Sequence, residues 1–528
     1  MLIWNEPSTK SIFMNARPGK DASAESFLHA ARNGYCAAQV LVRFLENVRI
    51  RSVEVLSGTG DTFGDKGIRV RLFRQDYKKY NDCTYYPDRL RELKNGRTDL
   101  KVPAHSTRAF RVDFFVPESI APGKYTYQVT VKTDKGDLTS KINLIVHKAV
   151  IRDPADSTFG HEYFFNLDLL PKKKTGILPY SEEWWELLSH YADVMKEMRN
   201  NTICVQPLPL LHHGGSTYNS PDDYDFKFDL FDRFVELFLK KGAARDFTLS
   251  AFIQSVEGKS FSALSGTSDI VSYETNTPLG DDYLRTFYGG ISKHINEKGW
   301  KGLFRVHIED EPHTTEVWLH TKKIIDEAAP DLLAGEPLDM IESARVICDH
   351  CGWAVPRINV HDEDPAVFKR FVERGGELWL YSCCFPEEAY FLNKFVDLPV
   401  IRSRLMEWAC IGVGAKGFLH WGFNYWGRGD SLYGFNADAR FKGDGAIVYK
   451  NLQAKKLDLS ARFMNTRDGL QDADLFMQII ERGNDKQKKG VRELLDEVTK
   501  GDFEAHSDDT EEFERNFEKL LAIADSLE

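Results

Sequence analysis

The feature that most restricts the fold of this chain is a regular alternation of short apolar runs and longer amphipathic stretches, beginning near residue 158. Short apolar runs predict buried strands, and stretches with a 3.6-residue period predict helices. Strands that alternate with helices are typical of a parallel sheet with crossover helices. Eight strands are predicted, at Thr158–Phe165, Thr202–Gln206, Phe247–Gln254, Phe304–Ile308, Leu332–Gly335, Val346–Cys348, Glu377–Ser382 and Gly417–Trp421.

Eight strands with interleaved helices favour a (β/α)8 TIM-type barrel. The alternative is a doubly wound open sheet. We favour the barrel because no glycine-rich phosphate loop follows any of the predicted strands. Asp458–Ile480 is predicted as the last helix of the barrel, and the earlier helices are predicted at Ser181–Met198, Phe228–Lys241, Tyr283–Lys298 and Thr315–Ala329.

The chain has a different pattern before Asp153-Pro154 and after Arg482. The first 150 residues contain short strands at regular spacing with turn residues between them, which predicts an antiparallel β-sandwich. The last residues are highly charged, with helical periodicity at Val491–Thr499 and Thr510–Leu527. The expected domains are therefore an N-terminal β-sandwich at 1–150, a catalytic barrel at 151–482 and a small C-terminal helical appendage at 483–528.

The charge balance excludes some classes of partner. The chain has 69 basic and 80 acidic residues, a net charge of −11, and no basic stripe that would indicate a nucleic-acid partner. No apolar run reaches the roughly 18 residues of a membrane span. The N-terminal residues MLIWNEPSTK lack the pattern of a signal peptide. We therefore expect a cytoplasmic protein, or a secreted one if a leader has been removed.

The sequence FRVHIEDEP at residues 304–312 points to chemistry. An apolar strand ends in Glu309, Asp310 and Glu311, and Pro312 then stops it. Three neighbouring carboxylates repel one another, so the pKa of at least one must rise. An enzyme that needs one protonated and one ionised carboxyl group near the same substrate atom has a use for this arrangement. The structural alternative is a solvated strand end that also caps the next helix.

Other candidates lie at the ends of the remaining predicted strands, where the active residues of barrel enzymes are found. Aromatic side chains there suggest stacking against sugar rings. The candidate substrate-binding residues are His161, Tyr381, Trp421, Asn424 and Trp426.

Two designs of glycoside hydrolysis fit these residues. A retaining glycosidase with two carboxylates needs them about 5–5.5 Å apart, on opposite sides of the anomeric carbon. Glu311 would then work with Glu336 or with a residue of the Glu387-Glu388 loop, although the seventh predicted strand itself ends without a carboxylate. Neighbouring Asp310 and Glu311 better suit a second design, in which the substrate's own 2-acetamido group is the nucleophile.

Several motifs in the second half of the chain resemble glycoside hydrolase family 123. HIEDEP is similar to the catalytic strand of that family, and the other matches occur in the right order between residues 300 and 475. They are GGELWLYSC at 375–383, RLMEW at 404–408, GFLHW at 417–421, GDG at 443–445 and RDGLQD at 467–472. The chain departs from the pattern at His420, where the family more often has Tyr.

The resemblance implies a β-sandwich followed by a (β/α)8 barrel and a retaining exo-β-N-acetylgalactosaminidase that needs neither metal nor cofactor. It implies that Asp310 orients the acetamido group and that Glu311 is the general acid/base. The partner is then a glycan or glycoconjugate with terminal β-linked GalNAc. A glycosidase of the same fold for another sugar and a carbohydrate-binding protein without catalysis are the alternatives.

Overall fold

The computed structural model of this 528-residue chain describes residues 1–58, 67–79, 84–170, 172–250, 253–254, 260–426 and 443–527. It shows a mixed α/β protein. A parallel sheet of nine strands forms its central part, and two further large sheets are built mainly from the first 150 residues.

The two N-terminal sheets share one hydrophobic core. Val40 and Phe110 come from the larger sheet and Val53 and Val129 from the smaller, and all four belong to a single buried cluster. The larger sheet is antiparallel, in the order Leu2–Pro7, Gly34–Arg43, Thr107–Val116, Arg69–Lys79, Tyr85–Glu92, Lys456–Ser460 and Tyr449–Asn451. The smaller sheet has the order Glu25–Arg32, Leu138–Val150, Gly123–Thr133, Val48–Ser57 and Arg97–Val102, with only its first pair parallel.

The central sheet curls into a nearly closed ring. Its spatial order is Glu377–Leu378, Trp353–Pro356, Leu333–Leu338, Phe304–His307, Asp246–Leu249, Thr202–Val205, Gly160–Tyr163, Gly417–His420 and Leu380–Ser382. Only Trp379 separates the first of these strands from the last in sequence. This interrupted segment pairs with Trp353–Pro356 through its first part and with Gly417–His420 through its second. The described strands thus fill eight positions around a barrel-like ring.

The prediction of a strand at Val346–Cys348 is wrong. These residues lie at the end of a helix, Ile341–Ile347, and the sixth strand position is taken by Trp353–Pro356. The helix buries Ile341, Ala344 and Ile347, which are three residues apart, as one face of a helix requires. A short apolar run cannot reveal this spacing by itself.

Helices cover the ring and fill the C-terminal part of the chain. The longer ones are Glu182–Met198, Asp229–Lys241, Pro278–Glu297, Thr315–Ala328, Arg402–Gly412, Ala461–Arg482, Asp485–Thr499 and Thr510–Ala524. The shorter ones are Lys172–Thr175, Pro207–His213, Ile341–Ile347, Ile358–Glu363 and Pro365–Glu373. There are also two small sheets, Thr217–Ser220 with Asp223–Asp225, and Ile253–Gln254 with Ser260–Leu264 and Ile270–Glu274. Two short 3-10 helices, Lys94–Gly96 and Pro154–Asp156, complete the described elements. Within the described residues, no helix has the length and apolar character needed to cross a bilayer.

The helix Ala461–Arg482, called the long helix below, joins the N-terminal sheets to the ring. Every residue from 461 to 479 is buried, although several are charged. Arg467 donates to both oxygens of Asp113 on the larger N-terminal sheet, at 2.8 and 3.0 Å. Burial alone would raise the pKa of Asp113, but the cations of Arg467, Arg111 and Arg71 together hold it well below its usual range. Asp113 is therefore an ion at neutral pH, and its pairing ties sheet to helix.

We predict that replacing Arg467 with Met destabilises the protein by about 3–5 kcal/mol, because one buried partner of Asp113 is lost while its charge stays buried. The unfolding midpoint in urea measures this change. Arg49→Met is the matched control, since Arg49 pairs with Asp99 while both side chains are half exposed, and exposed pairs contribute at most about 1 kcal/mol. Equal shifts for the two variants would show that the buried pair does not join the two parts.

Candidate active site

The acidic residues lie at the carboxyl end of the central strand Phe304–His307. All four residues of this strand are buried, and the chain then turns sharply. Glu311 has a φ of 53°, in the left-handed region that non-glycine residues seldom occupy. Such a conformation persists only where its surroundings hold it, and it is concentrated at functional sites.

Asp310 opens onto a cleft of about 660 Å³. Cys204, Gln206, Leu208, His307 and Tyr425 are among the other residues that line this cleft. Solvent reaches the Asp310 carboxylate, yet the concave walls remove much of its hydration. Burial among these walls, together with the negative charges of Glu311 and Asp339, raises the pKa of Asp310 to about 6. The volume suits a small ligand.

Glu311 is hydrogen-bonded to one of the predicted binding residues. The hydroxyl of Tyr381, which is buried at the end of its strand, donates to Oε1 of Glu311. Burial raises the pKa of Glu311, and the negative charge of Asp339 raises it further. The hydrogen bond from Tyr381 lowers the same pKa. The cation of Arg357 also lowers this pKa. The net direction is upward, which favours a carboxyl group that keeps its proton longer than usual.

Glu336 lies beneath the turn and supports its backbone. Its Oε1 accepts hydrogen bonds from the backbone N–H groups of Ile308 and Glu309 and from the indole N–H of Trp318. The side chain is fully buried, and burial raises its pKa well above the usual range. Glu336 therefore holds the segment immediately before Asp310.

The indole of Trp421 is held by Asp444. One Asp444 oxygen accepts from the indole N–H of Trp421, and the other accepts from Nε2 of His420 at 2.8 Å. The Nδ1 of His420 accepts from the backbone N–H of Gly422 at 3.0 Å, which fixes the proton on Nε2. The ring of Trp421 lies 5.3 Å from that of Tyr425, which lines the cleft with Asp310. His420 thus has a positioning contact where the family pattern more often has Tyr.

The loop 443–446 that carries Asp444 is fixed from the N-terminal side of the molecule. Arg462 of the long helix donates to the carbonyl groups of Gly443 and Ala446, at 2.8 and 2.9 Å. The same guanidinium is paired with Asp88 of the larger N-terminal sheet, at 2.8 Å. A chain of buried contacts therefore runs from that sheet to the aromatic residues beside the cleft.

Asn424 and Trp426 are engaged within the protein. The Asn424 amide bonds to both backbone groups of Asn166, and it donates to the hydroxyl of Tyr191 at 3.2 Å. The indole of Trp426 is buried and donates to the carbonyl of Val448 at 2.8 Å. Neither residue is among those described as lining the cleft with Asp310. Both side chains contact the loops that surround the site.

His161 is fully buried in the first strand of the ring. Its Nδ1 lies 3.2 Å from Oδ1 of Asn200, and its ring stacks near Phe418. Burial lowers its pKa well below the usual value, so the ring is neutral. The structure thus brings Asp310, Glu311 and Tyr381 together, places Trp421 beside the cleft residue Tyr425, and puts His161 in the packed interior.

Among the cleft residues that were not predicted from the sequence, three are distinguished by their position. Cys204 is the last residue but one of the second strand, Tyr425 follows the eighth, and His307 ends the strand before the acidic turn. Burial lowers the pKa of His307 to about 3, so this ring is neutral, and its Nδ1 lies 3.3 Å from the carbonyl of Gly335. Their position at carboxyl ends of parallel strands was the signal that could have identified them.

The comparisons with known proteins agree with this geometry. The family model described as glycoside hydrolase 123, catalytic domain, matches residues 172–479. A solved family 123 glycoside hydrolase from Clostridium perfringens, described for its glycolipid glycan hydrolysis, has 12% identity and a TM-score of 0.76. That match covers 99% of this chain and 97% of the other, and at this identity it shows the fold alone.

A second solved structure, a β-glucuronidase from Parabacteroides merdae, has 10% identity and a TM-score of 0.30. The match covers 74% of this chain and 45% of that one. A likeness this weak supports no argument about fold or function. No curated protein matches the chain.

Proposed function

This chain belongs to glycoside hydrolase family 123 and is a glycosidase, and from that membership we propose that it is a retaining exo-β-N-acetylgalactosaminidase. Its substrate is a glycan or glycoconjugate with a terminal β-linked GalNAc. The observation that carries the proposal is the adjacency of Asp310 and Glu311 at the end of one strand, both with raised pKa values.

The reaction begins when Asp310 accepts the N–H of the substrate's 2-acetamido group. This bond turns the acetamido carbonyl oxygen toward the anomeric carbon. Glu311 protonates the glycosidic oxygen as the bond between that oxygen and the anomeric carbon breaks, and the carbonyl oxygen closes an oxazolinium ring. Glu311, now ionised, then removes a proton from the attacking water. Two inversions at the anomeric carbon retain its configuration.

The contacts around the two acids support this division of roles. Asp310 lines the cleft with a carboxylate that ionises near pH 6, and the ion stabilises the positive oxazolinium. Tyr381 holds Glu311 in a fixed orientation. We propose that Trp421 and Tyr425, whose rings lie together beside the cleft, provide the apolar surface against which the sugar packs.

The finer description of the fold belongs to the same proposal. The ring with eight strand positions suits a (β/α)8 barrel at about residues 151–482, and the two sheets that share a core suit an N-terminal β-sandwich. Active residues of barrel enzymes lie at the carboxyl ends of strands, as Asp310 and Tyr381 do here.

A glycosidase with two carboxylates acting on another sugar is the second candidate. It would pair Glu311 with Glu336 or with the Glu387-Glu388 loop. Glu336 is buried with its Oε1 bonded to backbone, and Glu387 and Glu388 are exposed to solvent. These contacts favour the substrate-assisted design. A binding protein without catalysis is the third candidate, which the presence of both acids disfavours.

We predict that the enzyme hydrolyses nitrophenyl β-GalNAc and is inactive on the β-galactoside, because only the former carries the 2-acetamido nucleophile. Asp310→Asn lowers kcat/KM by about 10²–10⁴-fold. Glu311→Gln lowers kcat/KM by the same factor for a substrate with a poorly activated leaving group. The loss is much smaller for a dinitrophenyl substrate, because that leaving group departs without a proton. Initial rates of both variants on both substrates measure this split.

The control is Asp326→Asn, which removes a solvent-exposed carboxylate on the helix Thr315–Ala328 and is expected to keep full activity. A thiazoline analogue of the oxazoline intermediate is expected to inhibit strongly, and NMR is expected to show the β-anomer as first product. Equal rates on substrates with and without the acetamido group would contradict substrate assistance.

We predict a bell-shaped dependence of kcat/KM on pH. Asp310 must be ionised, so its pKa of about 6 places the acid limb near pH 6, and activity falls as the pH drops through it. Glu311 must be protonated, so activity is also expected to fall as the pH rises and Glu311 loses its proton. The two neighbours titrate as a coupled pair. The pH profile of the Asp310→Asn variant is expected to lack the acid limb. If that limb were unchanged in the variant, it would reflect the ionisation of another group.

We predict that Glu336→Gln keeps most activity and Glu336→Leu does not. Gln retains a carbonyl oxygen for the N–H groups of Ile308 and Glu309, whereas Leu leaves them unpaired at a cost of about 1–3 kcal/mol each. Thermal unfolding and kcat/KM of both variants provide the measurement. If the Glu336→Gln variant were folded but inactive, Glu336 would be a catalytic partner of Glu311. That result would favour the glycosidase with two catalytic carboxylates.

A further inference from the structure

Two neighbouring cysteines follow the strand Leu380–Ser382 at the site end of the ring. Cys383 and Cys384 are free thiols, and both are partly exposed. The two thiols are close enough to hydrogen-bond to each other. The sulfur of Cys383 also accepts from the backbone N–H of Phe385 at 3.4 Å, which holds it in place. Two sulfur donors are therefore presented together on one short turn.

This thiol pair lies beside the proposed general acid. Two residues earlier, the hydroxyl of Tyr381 is bonded to Glu311. The charges of Asp444 and Glu311 both act on the thiol of Cys384, which places it near the carboxylates that form the site and hold Trp421. A group bound across the two sulfur atoms would occupy space next to Glu311.

We propose that Cys383 and Cys384 form a dithiol site that binds monosubstituted trivalent arsenicals, and that an arsenical bound there blocks the glycosidase site. Soft thiolate ligands prefer soft, thiophilic centres. A monosubstituted arsenical keeps its carbon substituent and needs two sulfur atoms to complete its coordination. The inhibitory half of the proposal rests on the proposed function of Glu311, whereas the binding half does not.

The binding step is a condensation without change of oxidation state. The arsenic–oxygen bond of an arsine oxide is replaced by two arsenic–sulfur bonds. The two thiol protons leave with the oxygen as one water molecule. Simple monothiols compete poorly with the five-membered chelate formed by a 1,2-dithiol, so such a dithiol reverses the binding.

The chain contains a matched control pair. Cys348 and Cys351 are also close enough to hydrogen-bond, but they follow the helix Ile341–Ile347 and precede the strand Trp353–Pro356. They therefore lie at the amino end of a ring strand, whereas Asp310 and Tyr381 lie at carboxyl ends. An arsenical bound at this second pair would leave the site open.

The test uses the full-length protein and phenylarsine oxide. In the Cys348→Ser/Cys351→Ser variant, intact-mass measurement is expected to show one bound phenylarsenic group per chain, and this group is expected to be absent when Cys383→Ser or Cys384→Ser is added. Hydrolysis of nitrophenyl β-GalNAc is expected to fall at least tenfold on binding and to recover with a 1,2-dithiol. The Cys348→Ser/Cys351→Ser variant is expected to keep both the binding at Cys383 and Cys384 and the inhibition.

Persistence of binding in a variant that carries Cys383→Ser and Cys384→Ser together with Cys348→Ser and Cys351→Ser would overturn the site, and this result does not depend on any substrate. Binding at the pair without loss of activity would overturn the inhibitory half. Failure of the proposed function would give a different result. The untreated protein would then be inactive on the β-GalNAc substrate, while the mass change on arsenical binding would still be observed.

Discussion

The structure depends on the long helix, whose charged residues between 461 and 479 are all buried and therefore need partners. A buried ion is costly unless an opposite charge and hydrogen bonds compensate it. Arg462 and Arg467 find their anions on the larger N-terminal sheet, in Asp88 and Asp113. Asp472 of the same helix accepts both hydrogen bonds of the Arg404 guanidinium. Sheet, long helix and ring therefore cannot separate without leaving buried charges unpaired.

This requirement reaches the candidate site through Arg462. The same guanidinium that pairs with Asp88 fixes both ends of the loop 443–446, and this loop presents Asp444 to His420 and Trp421. The aromatic side of the cleft is thus positioned by contacts that begin outside the ring. In this view the N-terminal sheet is a structural component of the site although it contributes no side chain to the cleft residues described.

The sequence alone could place residues in the fold where the signal was local. Asp310 and Glu311 were located because an apolar strand and its acidic end are contiguous, and the position of Tyr381 at a strand end implied which end of the ring it would occupy. For Asn424 and Trp426 the sequence placed the loop beside the site, but the direction of each side chain depends on Asn166 and Val448. Partners at such separations leave no pattern in a single sequence. The sixth strand, Trp353–Pro356, was also missed. Its four residues are all buried, so the sequence lacks the alternation of apolar and polar residues that marks a half-exposed strand.

The different roles proposed for Asp310 and Glu311 require that the backbone between them leaves the strand conformation, and it does. Along a regular strand, side chains point alternately to opposite faces, so neighbours would not share a substrate. Glu336 holds the N–H groups just before Asp310, and Tyr381 holds the carboxylate just after it, while Glu311 takes a left-handed φ of 53° between these anchors. Such a conformation is costly, and it persists because the contacts on either side are fixed. In the proposed mechanism, this turn is what lets two neighbouring carboxyl groups reach the same sugar.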